Sequence, residues 1–198
     1  FVAGLAVSAS VTVALTVLYL VFTEGYAATQ GASLVRTDLS AEAIRLARVV
    51  RELTAPDPPG EVTGVLALML LHDSRREARL DDAGDIVLLD EQDRSRWDRR
   101  QIAEALPLVQ QALQHEPGPF ALQAALPAVH GRAERKEDTD WPEIVRLYEL
   151  LERIHPSPVV SLNRAVAVAM VDGPRAALAI VDQVAALGTL DGYHLLHG

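Results

Sequence analysis

The sequence predicts an all-α fold, an array of antiparallel helix pairs, and three observations carry that prediction. Ala, Leu and Val dominate a chain that is 49% hydrophobic and only 5% aromatic, which favours helices packed through small contacts. Apolar residues recur at helical spacing in segments separated by short Pro- and Gly-rich breaks. One pattern repeats: "IRLARVVRELTAPDP" (Ile44–Pro58) matches "VRLYELLERIHPSP" (Val145–Pro158). Both are amphipathic, both end in a Pro-x-Pro break, and both lead into an Ala/Val/Leu-rich helix, as in helical repeat arrays. "LNRAVAVAMVDGPRAALAIVDQV" (Leu162–Val184) adds the small-residue alternation and tight turn of a tetratricopeptide-type (TPR-like) hairpin.

The elements follow in order. Phe1 to Phe22 carries no charge and approaches the length of a membrane span. Ser8, Ser10, Thr12 and Thr16 dilute it, and no Lys or Arg flanks it, so a first buried helix is preferred over a membrane or targeting segment. Ser40 fits the cap of a helix through Leu53, which "APDPPG" (Ala55–Gly60) ends. Glu61–Asp73 is apolar almost all round and is therefore expected to be central. "DDAGD" is turn chemistry, so one short hairpin or extended loop is expected near residues 76–97.

Asp98 then fits an N-cap for a helix to about His115, with Pro107 inside it. Phe120–His130 forms the next. "GRAERKED" reads as a solvated loop. "DTDWPE" combines Asp140 as cap, Pro142 in the first turn and Glu143 three residues after the cap. That helix runs to Ile154, and Val159–Val171 and Pro174–Leu187 follow it. Asp191 can cap one more turn before the last residue, so the chain reads as a fragment of something longer: an apolar segment at 1–22 and a TPR-like domain over 13–198.

Composition excludes several functions. The formal net charge is −9 with a pI near 5.1, which repels phosphate backbones and argues against nucleic-acid binding. There is no cysteine, so thiolate metal sites, disulfides and cysteine nucleophiles are excluded. That fits a reducing cytoplasm, the expected location.

Two clusters invite a chemical reading. His72-Asp73 ends the apolar helix, and such pairs bind metal in helical phosphohydrolases. A working site needs further ligands, and His115, His130 and His155 each sit at a helix end, where histidine commonly meets terminal carbonyls. Asp90, Glu91, Asp93 and Asp98 lie within "LLDEQDRSRWDRR", but their spacing is not that of a calcium loop. Arg94, Arg96, Arg99 and Arg100 match them in number, so local ion pairing is the simpler account. No Ser lies in a nucleophile elbow and no Gly-rich phosphate loop occurs. The sequence predicts no enzyme, no cofactor and no metal. A metal-dependent hydrolase using His72 and Asp73 and a membrane-tethered helical scaffold are the alternatives.

Several blocks taken together carry a resemblance. They are "VLYLVFTEGYAAT" (Val17–Thr29), "RTDLSAEAIRLAR" (Arg36–Arg48), "LALMLLHDSRREAR" (Leu66–Arg79), "LLDEQDRSRWDR" (Leu88–Arg99), "DTDWPEIVRLYELL" (Asp138–Leu151), "SPVVSLNRAVAVAMVDGP" (Ser157–Pro174) and "LDGYHLLH" (Leu190–His197). In this order they resemble the TPR-like C-terminal extension of bacterial extracytoplasmic-function RNA polymerase sigma factors. The resemblance runs from about Val13 onward and does not extend to Phe1–Ser10. It implies a regulatory domain of a factor that directs RNA polymerase to promoters in transcription initiation, without the two upstream domains that read promoter DNA. The implied partners are the other sigma domains of the same full-length chain, core polymerase and a regulatory protein, with no direct DNA binding and no membrane. Candidate partner-contact residues are Asp90, Asp93, Arg94, Arg96, Trp97, Asn163 and Arg164.

Overall fold

The most fully buried helix sits at the centre. In the computed structural model, which describes residues 2–27, 34–114 and 116–187 (without the side chains of 2–9, 27 and 34–37), helix α3 spans Gly60–Asp73. Every residue from Val62 to Leu71 is buried. A helix without a polar face needs neighbours on all sides. They are α1 (Val2–Ala27), α2 (Leu34–Leu53), α4 (Arg99–Ala112) and α5 (Pro119–Arg132), all of which pack in one compact unit, Phe1–Lys136.

Helix directions alternate, and specific contacts fix this. Gln101 at the start of α4 donates to Asp73 at the end of α3, while Gly60 at the start of α3 lies against the Ala112 carbonyl at the end of α4. Glu61, in the first turn of α3, accepts from the backbone N–H groups of Phe120 and Ala121 at the start of α5. It thereby caps α5 from another helix, a carboxylate on the positive end of a helix dipole. Thus α3 and α5 run parallel with α4 reversed between them in sequence. The closest approach is at Gly64, where an added Cβ would stand 2.7 Å from the Ala121 nitrogen and 2.8 Å from its Cα. Those are backbone atoms and cannot step aside, so the α3–α5 crossing requires glycine.

A second compact unit, Glu137–Gly198, holds α6 (Trp141–Ile154), α7 (Pro158–Asp172) and α8 (Pro174–Ala186). Asp140 caps α6 by accepting from Glu143 N at 2.8 Å, as the sequence predicts. Glu152 on α6 meets Arg164 of α7 at 3.0 Å and accepts from the Ser161 hydroxyl, closing the hairpin near its turn. Gly173, at φ +87°, is the single residue between α7 and α8, a backbone conformation that glycine adopts freely.

The all-α array expected from the sequence is therefore observed, and the expected loop lies between α3 and α4. Leu80 and Ile86 form an antiparallel bridge around the "DDAGD" turn, in which Asp81 accepts from Ala83 N and Asp85 N. Three expectations need correction. Ser40 does not start α2: the helix already runs from Leu34, and Ser40 is buried inside it, bonded to Arg76 beyond α3. The helix capped by Asp98 ends at Ala112, before His115, which lies outside the described residues. Over its described side chains, residues 10–22, the apolar N-terminal run is buried on one face only. Leu15 and Phe22 are 1% exposed, whereas Val13, Val17 and Leu20 are 52–63% exposed. Among the described residues, no helix is long and apolar enough to cross a membrane. The expected turn at Asp191 and the block Leu190–His197 lie outside the described residues.

Gly64→Ala should destabilise the first unit by about 1–3 kcal/mol, the typical penalty for overpacking. Urea denaturation checks this: a midpoint unchanged from the parent contradicts the close crossing.

Candidate functional site

The polar groups of the first unit concentrate where α3 ends. Asp73 accepts from Gln101 at 2.8 Å and forms a largely buried ion pair with Arg76, which also reaches Ser40 of α2. One arginine thereby ties α2, α3 and, through Asp73, α4. His72 accepts at Nδ1 from Arg75 Nη2 at 3.0 Å. Arginine only donates, so the imidazole is the Nε2–H tautomer. Its ring meets Tyr26 of α1 edge-on at 5.7 Å. Burial, and then the Arg75 and Arg79 charges, push its pKa down to about 3.

The arginines after α3 serve other helices. Arg79 stacks 3.8 Å over the Tyr26 ring and donates to the Tyr26 carbonyl at 3.0 Å, close to the C-terminal end of α1. Arg94 donates to the carbonyls of His130 and Ala133, at the C-terminal end of α5, at 2.8 and 2.9 Å. Cations belong at these negative helix ends. Trp97 is 3% exposed, with Arg94 4.8 Å and Arg75 6.0 Å from its ring centre. Beside it, His130 is pushed down to about 4 by burial and then by Arg75 and Arg94. The backbone N–H of Asp98 donates to the Ser74 carbonyl at 2.7 Å and fastens the returning loop to α3.

This geometry shows what the two suspected clusters hold locally. His72 and Asp73 are engaged by Arg75, Arg76 and Gln101. No group of three or more candidate metal ligands occurs among the described residues. Asp93 caps a short 3-10 turn at Arg94–Arg96 through Ser95, and Asp98 caps α4 through Arg100 N and Gln101 N. These acids hold backbone N–H groups.

The candidate contact residues divide accordingly. Asp90, Asp93 and Arg96 are exposed on the loop. Trp97 is inside, and Arg94 is committed to α5, so neither offers a free side chain to a partner. In the second unit Asn163 is exposed on α7, and Arg164 is held by Glu152. Reading the sequence did not single out Arg75, Arg79 and Tyr26. Their contacts join residues up to 53 positions apart, and the one available signal was a run of bases just past an apolar helix.

Residues 11–113 match the Family of unknown function (DUF6596). The chain belongs to this family. The DUF6596 match thus covers α1 from residue 11 onward, α2 to α4 and the whole loop around Trp97. The chain is also similar to an uncharacterized protein of Rhizobium meliloti (strain 1021), 51% identical over 184 residues, which are 92% of this chain and 43% of that protein. The chain therefore spans less than half the length of that relative. No solved structure matches it.

The half-buried histidines give the first unit an acid limit. The folded pKa of His72 is depressed to about 3 from an ordinary 6.5, so below pH 6.5 the unfolded chain takes up a proton that the folded chain refuses. That contribution to stability is complete above pH 6.5 and is lost as pH falls towards 3. His72→Gln should flatten the stability curve over this window relative to the parent. Parallel curves from chemical denaturation would contradict the half-buried neutral imidazole.

Proposed function

We propose that this DUF6596 chain is the C-terminal regulatory and protein-interaction domain of an extracytoplasmic-function sigma factor, working in the cytoplasm without catalysis. The observation that carries the reading is the order of the sequence blocks between Val17 and His197 that resemble such extensions. The all-helical architecture agrees with it. So does the acidic charge of −9, which suits a protein surface better than DNA and can mask basic sigma domains. In the proposal, promoter reading belongs to other domains of the full-length factor, and this domain sets when they act by contacting them, core polymerase or a regulatory protein.

Surface chemistry offers two contact regions. The loop presents Asp90, Asp93 and Arg96 around a core fixed by Trp97. The second unit presents Val159, Asn163, Val166 and Met170 along one stripe of α7. A fixed loop loses little conformational entropy on binding.

In the full-length factor, deleting residues 13–198 should change promoter-dependent transcription or the factor's affinity for core polymerase. Unchanged transcription together with unchanged polymerase binding contradicts the proposal. The double charge reversal Asp90→Lys with Arg96→Glu probes the loop without disturbing Trp97 or Arg94. It should shift transcription in the same direction as the deletion if the loop is the contact.

A further inference from the structure

The outer side of α7 carries a pattern that its packing within the second unit does not use. Ala165, Ala167 and Val168 are buried where α7 packs on α6 and α8. Val159, Val166 and Met170 are instead 40%, 61% and 57% exposed, and Asn163 is exposed among them. Steps of four, three and four residues separate these positions. That is the spacing of a coiled-coil seam, in which a and d residues face a partner helix. Asn163 and Met170 take the a positions, Val159 and Val166 the d positions. A lone Asn at an a position sets the register of such a pair at some cost in stability.

Charge decides what can cover this stripe. The chain carries −9, so two copies repel unless they meet across a face without charge. The charged residues of α7 are only two: Arg164, which Glu152 holds, and Asp172 at the C-terminal end. The stripe is also complementary to itself. In an antiparallel pair about a two-fold axis, Asn163 faces Val166 of the second copy while Val159 faces Met170. The same register sets Asp172 against Ser157, at the start of the other α7. That start has no acid in its first turn, and the Ser157 side chain makes no capping bond there. A carboxylate is favoured at the positive end of a helix and disfavoured at the negative end, where Asp172 sits in a single copy. One register therefore pairs the apolar residues and places the remaining charge favourably.

We propose that this chain forms an antiparallel homodimer through α7, with Val159, Asn163, Val166 and Met170 as the seam. The inference rests on α7 alone and stands apart from the sigma-factor reading. The seam is short, so the association is weak and concentration-dependent rather than permanent.

The test is sedimentation equilibrium of the intact chain. The expected result is a reversible monomer–dimer equilibrium whose dissociation constant falls as NaCl screens the repulsion between copies. A chain that stays monomeric up to millimolar concentration overturns the proposal, and so does a dissociation constant that rises with salt. Val166→Asp puts like charges into the seam at an exposed position and should raise the dissociation constant about tenfold or more. Val17→Asp, on the exposed side of α1, should leave it unchanged. An unchanged constant in Val166→Asp overturns the proposal. The chain has no cysteine, so introduced thiols report direction without that variant. Oxidising a mixture of Val159→Cys and Met170→Cys chains should link the two kinds to each other in preference to either with itself. Preferred linking of Met170→Cys chains to one another overturns the antiparallel seam.

Discussion

The first unit depends on a single constraint: α3 is buried around its whole circumference from Val62 to Leu71. A helix of that kind hydrogen-bonds its own backbone internally and offers its neighbours only apolar surface. Four helices must therefore close around it, and polar groups can enter only at its two ends. Both ends are used. At the start, Glu61 reaches out to cap α5. At the finish, the run from His72 to Arg79 gathers α1, α2, α4 and the returning loop. The apolar middle supplies most of the stabilisation, and the ends supply direction and register.

The arginines show how an acidic chain uses its few cations. Arg79 and Arg94 each sit at the carbonyl end of a helix distant in sequence, α1 and α5. Helix ends left by one segment are thus completed by another. This cross-capping locks the helices in their parallel and antiparallel senses without a large polar interface. It also leaves two neutral imidazoles, His72 and His130, beside several guanidinium groups, which is why both are so hard to protonate.

Much of the fold was legible because its signals are local. Asp140, Pro142 and Glu143 fix the start of α6, and Asp98 fixes the start of α4, through bonds spanning two or three residues. The uniform apolarity of Glu61–Asp73 placed that segment at the centre. The "DDAGD" turn gave the bridge between Leu80 and Ile86. What stayed hidden depends on distance. Ser40 looks like a cap because serine commonly is one, yet its hydroxyl meets Arg76, 36 residues on. Arg94 looked like a local partner for Asp90, Glu91 and Asp93. Its strong bonds go to carbonyls 36 and 39 positions away. Charge matching in sequence cannot separate these cases, because a backbone carbonyl at a helix end leaves no compositional trace. The carboxylate-rich stretch was legible as structural, and Trp97 as the residue that pins it to the helical body; only its contacts with Arg75 and Arg94 needed coordinates.

The loop from Asp90 to Arg96 owes its surface form to what lies beneath it. Trp97 and Arg94 hold it to α3 and α5, so its exposed charges are displayed on a fixed base. That display exists only if α3 is the stable centre from which the unit is organised. Native-state hydrogen exchange tests this most directly. The account predicts that the amides from Val65 to Leu71 exchange only through global unfolding of the first unit, more slowly than those of α2. Exchange of these α3 amides through a lower-energy local opening, while α2 stays protected, would contradict it.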